Sequence, residues 1–232
     1  MINTQKGLIV LNENEKENYL TIKENGDHEL IIKKSRFIAT VIRTLTVKEA
    51  ESAINAVTKK YRDATHNTFA YTIGLNDEHV KASDNGEPSG TAGVPELKAL
   101  QLMNLKNVTV VVTRYFGGIK LGAGGLIRAY SNSVTKAVEA IGVVKRVQQQ
   151  GLKFQVDYKK FDETQHYFNQ KKIFIDNIDY GAQVTISIFI DENKLKQLEN
   201  DLINILVGKV KFELLSQRYN EVPVTQNNYH EQ

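Results

Sequence analysis

The 232-residue sequence contains no cysteine and no tryptophan. Without cysteine, the chain cannot form disulfide bonds, use a thiolate nucleophile or hold a metal ion through sulfur. It also lacks an apolar run of the roughly 18 residues that a membrane-spanning helix needs. No basic segment followed by an apolar one stands at the N-terminus, so we expect no secretion signal and a cytoplasmic protein without a membrane partner.

The chain also carries little net charge. The formal net charge is +3, which is too small to indicate nucleic-acid binding by itself. The charge is unevenly divided, because residues 1–147 carry 20 basic against 15 acidic side chains and residues 148–232 carry 10 against 12. We therefore expect an anionic partner to bind within residues 1–147.

Length and residue pattern predict a two-domain α+β protein. The predicted organisation is a flexible extension over 1–17, an N-terminal domain over 18–144, a linker over 145–151, a second domain over 152–218 and a tail over 219–232. In the second domain, alternating and helically spaced apolar residues follow the order βαββαβ. That order is the ferredoxin-like plan.

Two local patterns mark elements of the N-terminal domain. Asn25-Gly26-Asp27 predicts a hairpin turn between strands at 19–23 and 29–33. Thr46 and Glu49 have the spacing of a capping box, which predicts a helix start.

The segment from Arg114 to Tyr130, RYFGGIKLGAGGLIRAY, carries the strongest functional signal. A strand-like stretch leads into it and a helical pattern leads out, so bare backbone N–H groups and a helix dipole can hold an anion there. The spacing matches neither a P-loop nor the dinucleotide fingerprint, and close helix–strand packing explains the glycines equally well. The candidate anion-binding residues are Arg114, Gly117, Gly118, Lys120, Gly122, Gly124, Gly125 and Arg128.

A second polar loop, DNGEPSGTAG, runs from Asp84 to Gly93. It is typical either of a general-base, metal or hydroxyl-and-backbone site, or of a turn-rich loop whose Asp and Ser bond their own backbone. Two carboxylates are few for a hard cation, so we predict no metal and no cofactor. If the protein is an enzyme, its catalytic candidates are Asp84, Glu87 and His66; Ser89 and Thr91 join the anion-binding candidates.

A basic stretch, Lys33-Lys34-Ser35-Arg36, precedes both loops. If this stretch is a strand, we expect Lys34 and Arg36 to share one face and to contact phosphates, although lysine at a sheet edge also serves simply to prevent aggregation. Tyr115-Phe116 can stack a nucleic-acid base, and core packing is equally consistent with their position.

These three motifs together resemble the IMPACT family in its bacterial YigZ-type two-domain form. The resemblance implies an N-terminal α/β sandwich like the second domain of a small-subunit ribosomal protein. It also implies a C-terminal ferredoxin-like domain similar to the last domain of elongation factor G. Eukaryotic relatives restrain a starvation-sensing kinase through a further partner-binding domain that this sequence lacks, so that role does not transfer.

We therefore expect a non-enzymatic, translation-linked cytoplasmic regulator that binds RNA, a ribosomal component or another phosphate-bearing ligand. One alternative is an enzyme acting on a phosphorylated or peptide substrate, with the anion held by the glycine-rich segment. Another is a protein–protein scaffold that uses the exposed sheet of the C-terminal domain. The sequence names neither the partner nor the oligomeric state.

Overall fold

The computed structural model describes residues 18–224, which divide into two compact units. The first unit holds residues 18–146 together with 221–224, and the second holds 147–220. The predicted extension over 1–17 and residues 225–232 of the predicted tail lie outside the described residues. No helix within 18–224 is long and apolar enough to cross a membrane.

The first unit combines antiparallel strands with three helices. Its elements are β1 (Tyr19–Ile22), β2 (Gly26–Ile32), β3 (Ser35–Arg43), α1 (Val47–Lys60), β4 (His66–Ile73), β5 (His79–Ser83), α2 (Gly93–Leu102), β6 (Val108–Tyr115), α3 (Ala123–Ile141) and the start of β7 (Val143–Val156).

Strands β2 to β6 form one antiparallel sheet in the order β2-β3-β6-β4-β5. Helix α1 packs against β4 and β6 on one face, and helices α2 and α3 pack on the other. Successive residues of β4 show this division, since Ala70 lies in the core under α2 and α3 and Tyr71 packs with the cluster under α1. The central strand β6 buries seven of its eight residues because helices cover it on both sides.

The predicted start of α1 is confirmed. The Thr46 hydroxyl accepts a hydrogen bond from the Glu49 backbone N–H at 3.2 Å, and the Glu49 carboxylate accepts one from the Leu45 N–H at 2.8 Å. One donor that the first helical turn leaves unpaired, that of Glu49, is satisfied in this way, together with the N–H of Leu45 just before the cap.

The hairpin predicted around Asn25-Gly26-Asp27 is wrong. Strand β1 pairs with Val143–Arg146 of β7, and β2 turns into β3 at Lys33–Lys34. Gly26 pairs with Val41 as part of β2, and the Asn25 side chain accepts a hydrogen bond from the Arg43 backbone N–H at 2.8 Å. The Asn-Gly pair therefore lies at the start of a strand and not in a turn, because residues distant in sequence form hydrogen bonds with its polar groups.

The second unit contains the remainder of β7, α4 (Tyr158–Lys171), β8 (Ile175–Tyr180), β9 (Val184–Asp191), a short 3-10 turn at Glu192–Lys194, α5 (Leu195–Ile205) and β10 (Phe212–Val224). The predicted βαββαβ order is confirmed, and the strands of this unit lie in the order β10-β7-β9-β8. The core between sheet and helices includes Phe154, Phe168, Ile186, Leu198 and Leu202.

The predicted linker over 145–151 is instead part of strand β7, which begins in the first unit and continues into the second. Its glutamines resemble a linker in sequence but are hydrogen-bonded here. The Gln150 amide donates to the Leu215 carbonyl at 2.6 Å, and the Gln149 amide donates to Asp191 at 3.1 Å. Residues 219–224 of the predicted tail likewise belong to β10.

Candidate functional site

A pocket of about 480 Å³ opens in the first unit where β4 begins and β6 ends. We call it the glycine-loop pocket. It is lined by residues 65–66, 87–88, 114, 116, 120–123 and 126. The sequence left open whether the two glycine-rich loops meet in space. In the structure both contribute to this one pocket.

The inner wall of the pocket is a buried ion pair. Arg114 is 5% exposed and Glu87 is 7% exposed, and Arg114 Nη1 lies 2.5 Å from Glu87 Oε1. The guanidinium also lies over the rings of Phe37 and Phe116, with its carbon 5.3 and 5.6 Å from their centroids. Most of the charge of Arg114 is therefore compensated within the fold, and its Nε has no hydrogen-bond partner among the described residues.

Tyr130 of α3 holds Glu87 from the opposite side. Its hydroxyl donates to Glu87 Oε1 at 2.7 Å, and its ring meets that of Phe37 edge-on at 5.3 Å. Burial, and then the bond to Glu87, raise the pKa of Tyr130 far above its ordinary value, so the hydroxyl remains a donor. In the sequence, Tyr130 stands only at the end of the Arg114–Tyr130 segment, and no local pattern indicates this role.

His66 stands at the mouth of the pocket, beside Arg114 in the pairing of β4 with β6. Its Nδ1 lies 3.3 Å from the Asn85 carbonyl oxygen. Because a carbonyl only accepts, this contact assigns the ring hydrogen to Nδ1. The other nitrogen, Nε2, lies 3.9 Å from Glu87 Oε1, so two of the three catalytic candidates lie together.

The third catalytic candidate, Asp84, has another role. Its carboxylate accepts hydrogen bonds from the backbone N–H groups of Gly90, Ala92 and Gly93 at 2.8, 2.9 and 3.0 Å. Partial burial opposes ionisation, but these three bonds outweigh it and lower the pKa of Asp84. Asp84 therefore holds its loop against the start of α2, and it does not line the pocket.

The N-terminus of α3 faces the pocket through Gly122 and Ala123. The helix has no side-chain cap and no acidic residue in its first turn. Its first N–H groups and its dipole therefore present positive potential, to which the nearby Lys120 ammonium adds. This is the part of the pocket with a net positive character, since Glu87 offsets Arg114.

The glycines of the segment differ in their roles. A Cβ on Gly117 would lie 2.0 Å from the carbonyl carbon of Lys34, so close backbone packing requires this glycine. Gly118 and Gly122 have φ values of +81° and +72°, which side chains rarely adopt. Gly124 and Gly125 belong to the first turn of α3.

The remaining candidates lie outside the pocket lining. Arg128 is exposed on α3, and the Arg36 Nε donates to Glu29 at 2.8 Å. Ser89 is exposed, whereas the buried Thr91 donates its hydroxyl to the Pro88 carbonyl at 2.6 Å. Lys34 is exposed in the β2–β3 turn and only Arg36 lies in a strand, so the prediction that the two share one strand face is wrong.

A second buried carboxyl group, that of Glu96 in α2, was missed by the sequence reasoning. It is 0% exposed and contacts the Thr68 hydroxyl through Oε1, while Oε2 has no partner among the described residues. Burial raises the pKa of Glu96 well above its ordinary value. A glutamate in the first turn of a helix is normally a solvated partner of the helix dipole, so no sequence signal points to this burial.

Comparison with known proteins finds two family models. Residues 33–138 match the Impact N-terminal domain, and residues 154–209 match a domain of unknown function, DUF1949.

Curated relatives match along most of the chain. The IMPACT family member YvyE of Bacillus subtilis is 42% identical over 82% of this chain and 88% of its own. An IMPACT family member of Haemophilus influenzae is 32% identical over 85% of this chain and 97% of its own. A crystal structure described as that of a hypothetical protein is 29% identical, with a TM-score of 0.55 over 86% of this chain and 98% of that one.

Proposed function

This chain belongs to the IMPACT family, and we propose that it is a non-enzymatic cytoplasmic regulator that binds a phosphate-bearing ligand, foremost RNA, in the glycine-loop pocket. The observation that carries the proposal is the uncapped N-terminus of α3, which opens beside Lys120 into a pocket with an aromatic wall. Unpaired N–H groups at a helix start, together with a cation, are a recurrent way of holding phosphate.

Charge in the pocket supports one phosphate rather than a metal–phosphate cluster. Glu87 and Arg114 compensate each other, which leaves Lys120 and the dipole of α3 as the source of positive potential. Among the described residues, no group of three or more His, Asp or Glu side chains is placed to hold a metal ion. A monoanionic or dianionic phosphate fits this balance.

Size and lining support an organic group attached to the phosphate. The pocket volume of about 480 Å³ lies within the range of small-molecule sites. Phe116 is 47% exposed although it lines the pocket, and Pro88, Leu121 and Leu126 add apolar surface. An exposed aromatic ring beside a phosphate site suits a nucleotide base, because every base can stack on such a ring.

Titration calorimetry with adenosine 5′-monophosphate and a short single-stranded RNA tests the proposal. Lys120→Ala should weaken binding at least fivefold and reduce the salt dependence by about one phosphate contact, a slope change of roughly 0.7. Phe116→Ala should weaken binding about 5- to 150-fold, the loss expected for one base stack. Lys98→Ala is the matched control, since Lys98 is an exposed lysine of α2 outside the pocket.

Equal affinity of the parent, Lys120→Ala and Lys98→Ala proteins for both ligands would overturn the proposal. Inorganic phosphate should compete with adenosine 5′-monophosphate. If inorganic phosphate did not compete, the ligand's phosphate would not bind at the start of α3.

An enzyme is the second candidate, and His66 is the observation that favours it. The Asn85 carbonyl fixes the hydrogen on Nδ1, so Nε2 can accept a proton beside Glu87 in the same pocket that offers the anion site. A screen of phosphorylated compounds for turnover tests this alternative. His66→Gln should abolish any activity found while leaving ligand affinity within about threefold, and an unaffected activity would exclude His66 as the base.

A further inference from the structure

The turn between β2 and β3 has an unusual sequence for its backbone. Ile32 pairs with Ser35, so Lys33 and Lys34 alone make the turn. Their φ values are +45° and +66°, in the left-handed region. Two-residue turns of this kind favour Asn-Gly, because glycine has no Cβ and asparagine tolerates the left-handed region, whereas lysine is strained there.

The rest of the first unit holds this strained turn in place. The close approach of Gly117 leaves no room for a side chain against the Lys34 carbonyl group. The Ser35 hydroxyl oxygen accepts hydrogen bonds from the Gly117 N–H at 3.2 Å and from Arg114 Nη2 at 3.4 Å. The lysine turn is therefore fastened to the segment that leads from β6 into the glycine-loop pocket.

The two lysine side chains form no stabilising contacts with the described residues. Both residues are exposed, and within residues 18–224 neither side chain makes a hydrogen bond, an ion pair or a ring contact. The strain is thus not offset by contacts of the lysines in the fold. Local rules that are broken without a structural gain are expected at functional positions.

We infer that Lys33 and Lys34 form a second phosphate-binding element, and that the ligand is a single-stranded polynucleotide running from the glycine-loop pocket along the β2–β3 turn. This inference rests on the proposed function and extends it from one phosphate to a chain. The fixed turn carries two exposed lysines and packs its backbone against Gly117, the residue after Phe116 of the pocket lining. Exposed cations next to a phosphate pocket suit a line of backbone phosphates. The exposed ring of Phe116 favours a single strand, since bases in a duplex are already stacked.

The double variant Lys33→Asn/Lys34→Gly separates charge from structure. It installs the residues that the turn prefers, so its melting temperature should equal or exceed that of the parent. For an eight-nucleotide oligouridylate we expect affinity to fall about tenfold and the slope of log affinity against log salt to decrease by roughly 1.4, for two contacts on a single strand. Binding of adenosine 5′-monophosphate should stay within twofold, because the pocket is intact.

Lys48→Ala/Lys98→Ala is the matched control. It removes the same charge from exposed positions on α1 and α2, and should leave the slope for oligouridylate within about 0.5 of the parent value. Equal effects of the two double variants, or an oligouridylate that binds no tighter than adenosine 5′-monophosphate, would overturn the inference while leaving the proposed function standing. If the parent protein did not bind adenosine 5′-monophosphate, that result would count against the proposed function instead.

Two further probes define the ligand class. Oligodeoxythymidylate of the same length should also bind the parent protein, and its affinity should also fall in the Lys33→Asn/Lys34→Gly variant. The reason is that the turn contacts phosphates rather than sugars. An oligoglutamate of equal charge should bind at least tenfold more weakly than either oligonucleotide, since it offers no base to Phe116. Equal affinity for oligoglutamate would contradict a nucleic-acid ligand.

Discussion

The floor of the glycine-loop pocket and the layer beneath helix α2 each bury a glutamate, and they do so in different ways. Glu87 is 7% exposed and meets Arg114 at 2.5 Å and the Tyr130 hydroxyl at 2.7 Å. Glu96 is 0% exposed and meets only the Thr68 hydroxyl among the described residues. The first region compensates a buried charge, whereas in the second no cation within residues 18–224 pairs with the carboxyl group.

Hydrogen-bond partners around Thr68 show how the fold tolerates Glu96. The Thr68 hydroxyl has one hydrogen and lies 3.1 Å from the Val112 carbonyl oxygen as well as in contact with Glu96. Because the carbonyl only accepts, the hydroxyl can donate to Val112 and receive a hydrogen bond from a neutral Glu96 carboxyl. The raised pKa of Glu96 agrees with this assignment. The surroundings thus decide whether a buried glutamate is paired or protonated.

Removing the cation from the pocket should have the largest effect. Arg114→Leu leaves Glu87 buried and without its ion-pair partner, and we expect the free energy of unfolding to fall by about 3–5 kcal/mol. Urea denaturation at neutral pH measures this loss. The double variant Arg114→Leu/Glu87→Gln, which removes both charges, should recover most of it. A double variant no more stable than the single one would show that the ion pair is not the cause.

Removing the acidic group from Glu96 should give an effect that grows with pH. Since burial raises its pKa in the folded state, Glu96 contributes most below its ordinary value of 4.5, and that contribution is lost as pH rises toward the folded-state pKa. Glu96→Gln should therefore gain stability over the parent by about 1.4 kcal/mol per pH unit across that window.

Urea denaturation between pH 4 and 9 measures this difference for Glu96→Gln. The exposed Glu24→Gln serves as its control. A difference that is flat with pH would contradict a neutral Glu96.

Removing the Tyr130 hydroxyl should give the smallest of the three effects. Tyr130→Phe removes one hydrogen bond to a carboxylate that keeps Arg114, so we expect a loss of about 1.5–3 kcal/mol. Tyr115→Phe is the control, because its hydroxyl donates to Asp63 on the exposed surface at 3.1 Å, and it should cost under about 0.5 kcal/mol. Equal losses in thermal unfolding would show that Tyr130 does not support Glu87.

Sequence reasoning succeeded where the signal was local. The Thr46–Glu49 spacing identified a helix start because both hydrogen bonds form within five residues. Alternating apolar residues identified the βαββαβ order of the second unit, since one face of each strand must meet its helices. Reasoning failed at Asn25-Gly26, where the choice between turn and strand depended on pairing with Val41 and on the Arg43 N–H.

Only part of the candidate site could be predicted from the sequence, because many of its contacts join residues that are distant along the chain. The Arg114–Tyr130 segment identified one wall of the pocket. Glu87 was named as an acid–base candidate, yet its bonds to Arg114 and Tyr130 join residues 27 and 43 positions apart. Asp84 resembled a catalytic carboxylate, but its three backbone bonds make it a structural cap. No spacing rule distinguishes these outcomes.

By itself, the sequence determined the family and the α+β class and predicted a region for anion binding, because glycines, caps and apolar periodicity act within a few residues. Only the tertiary structure decided which carboxyl groups are paired, protonated or capping. It also brought the Lys33–Lys34 turn against Gly117. Those outcomes depend on desolvation and on partners supplied by distant strands, and neither is encoded in neighbouring residues.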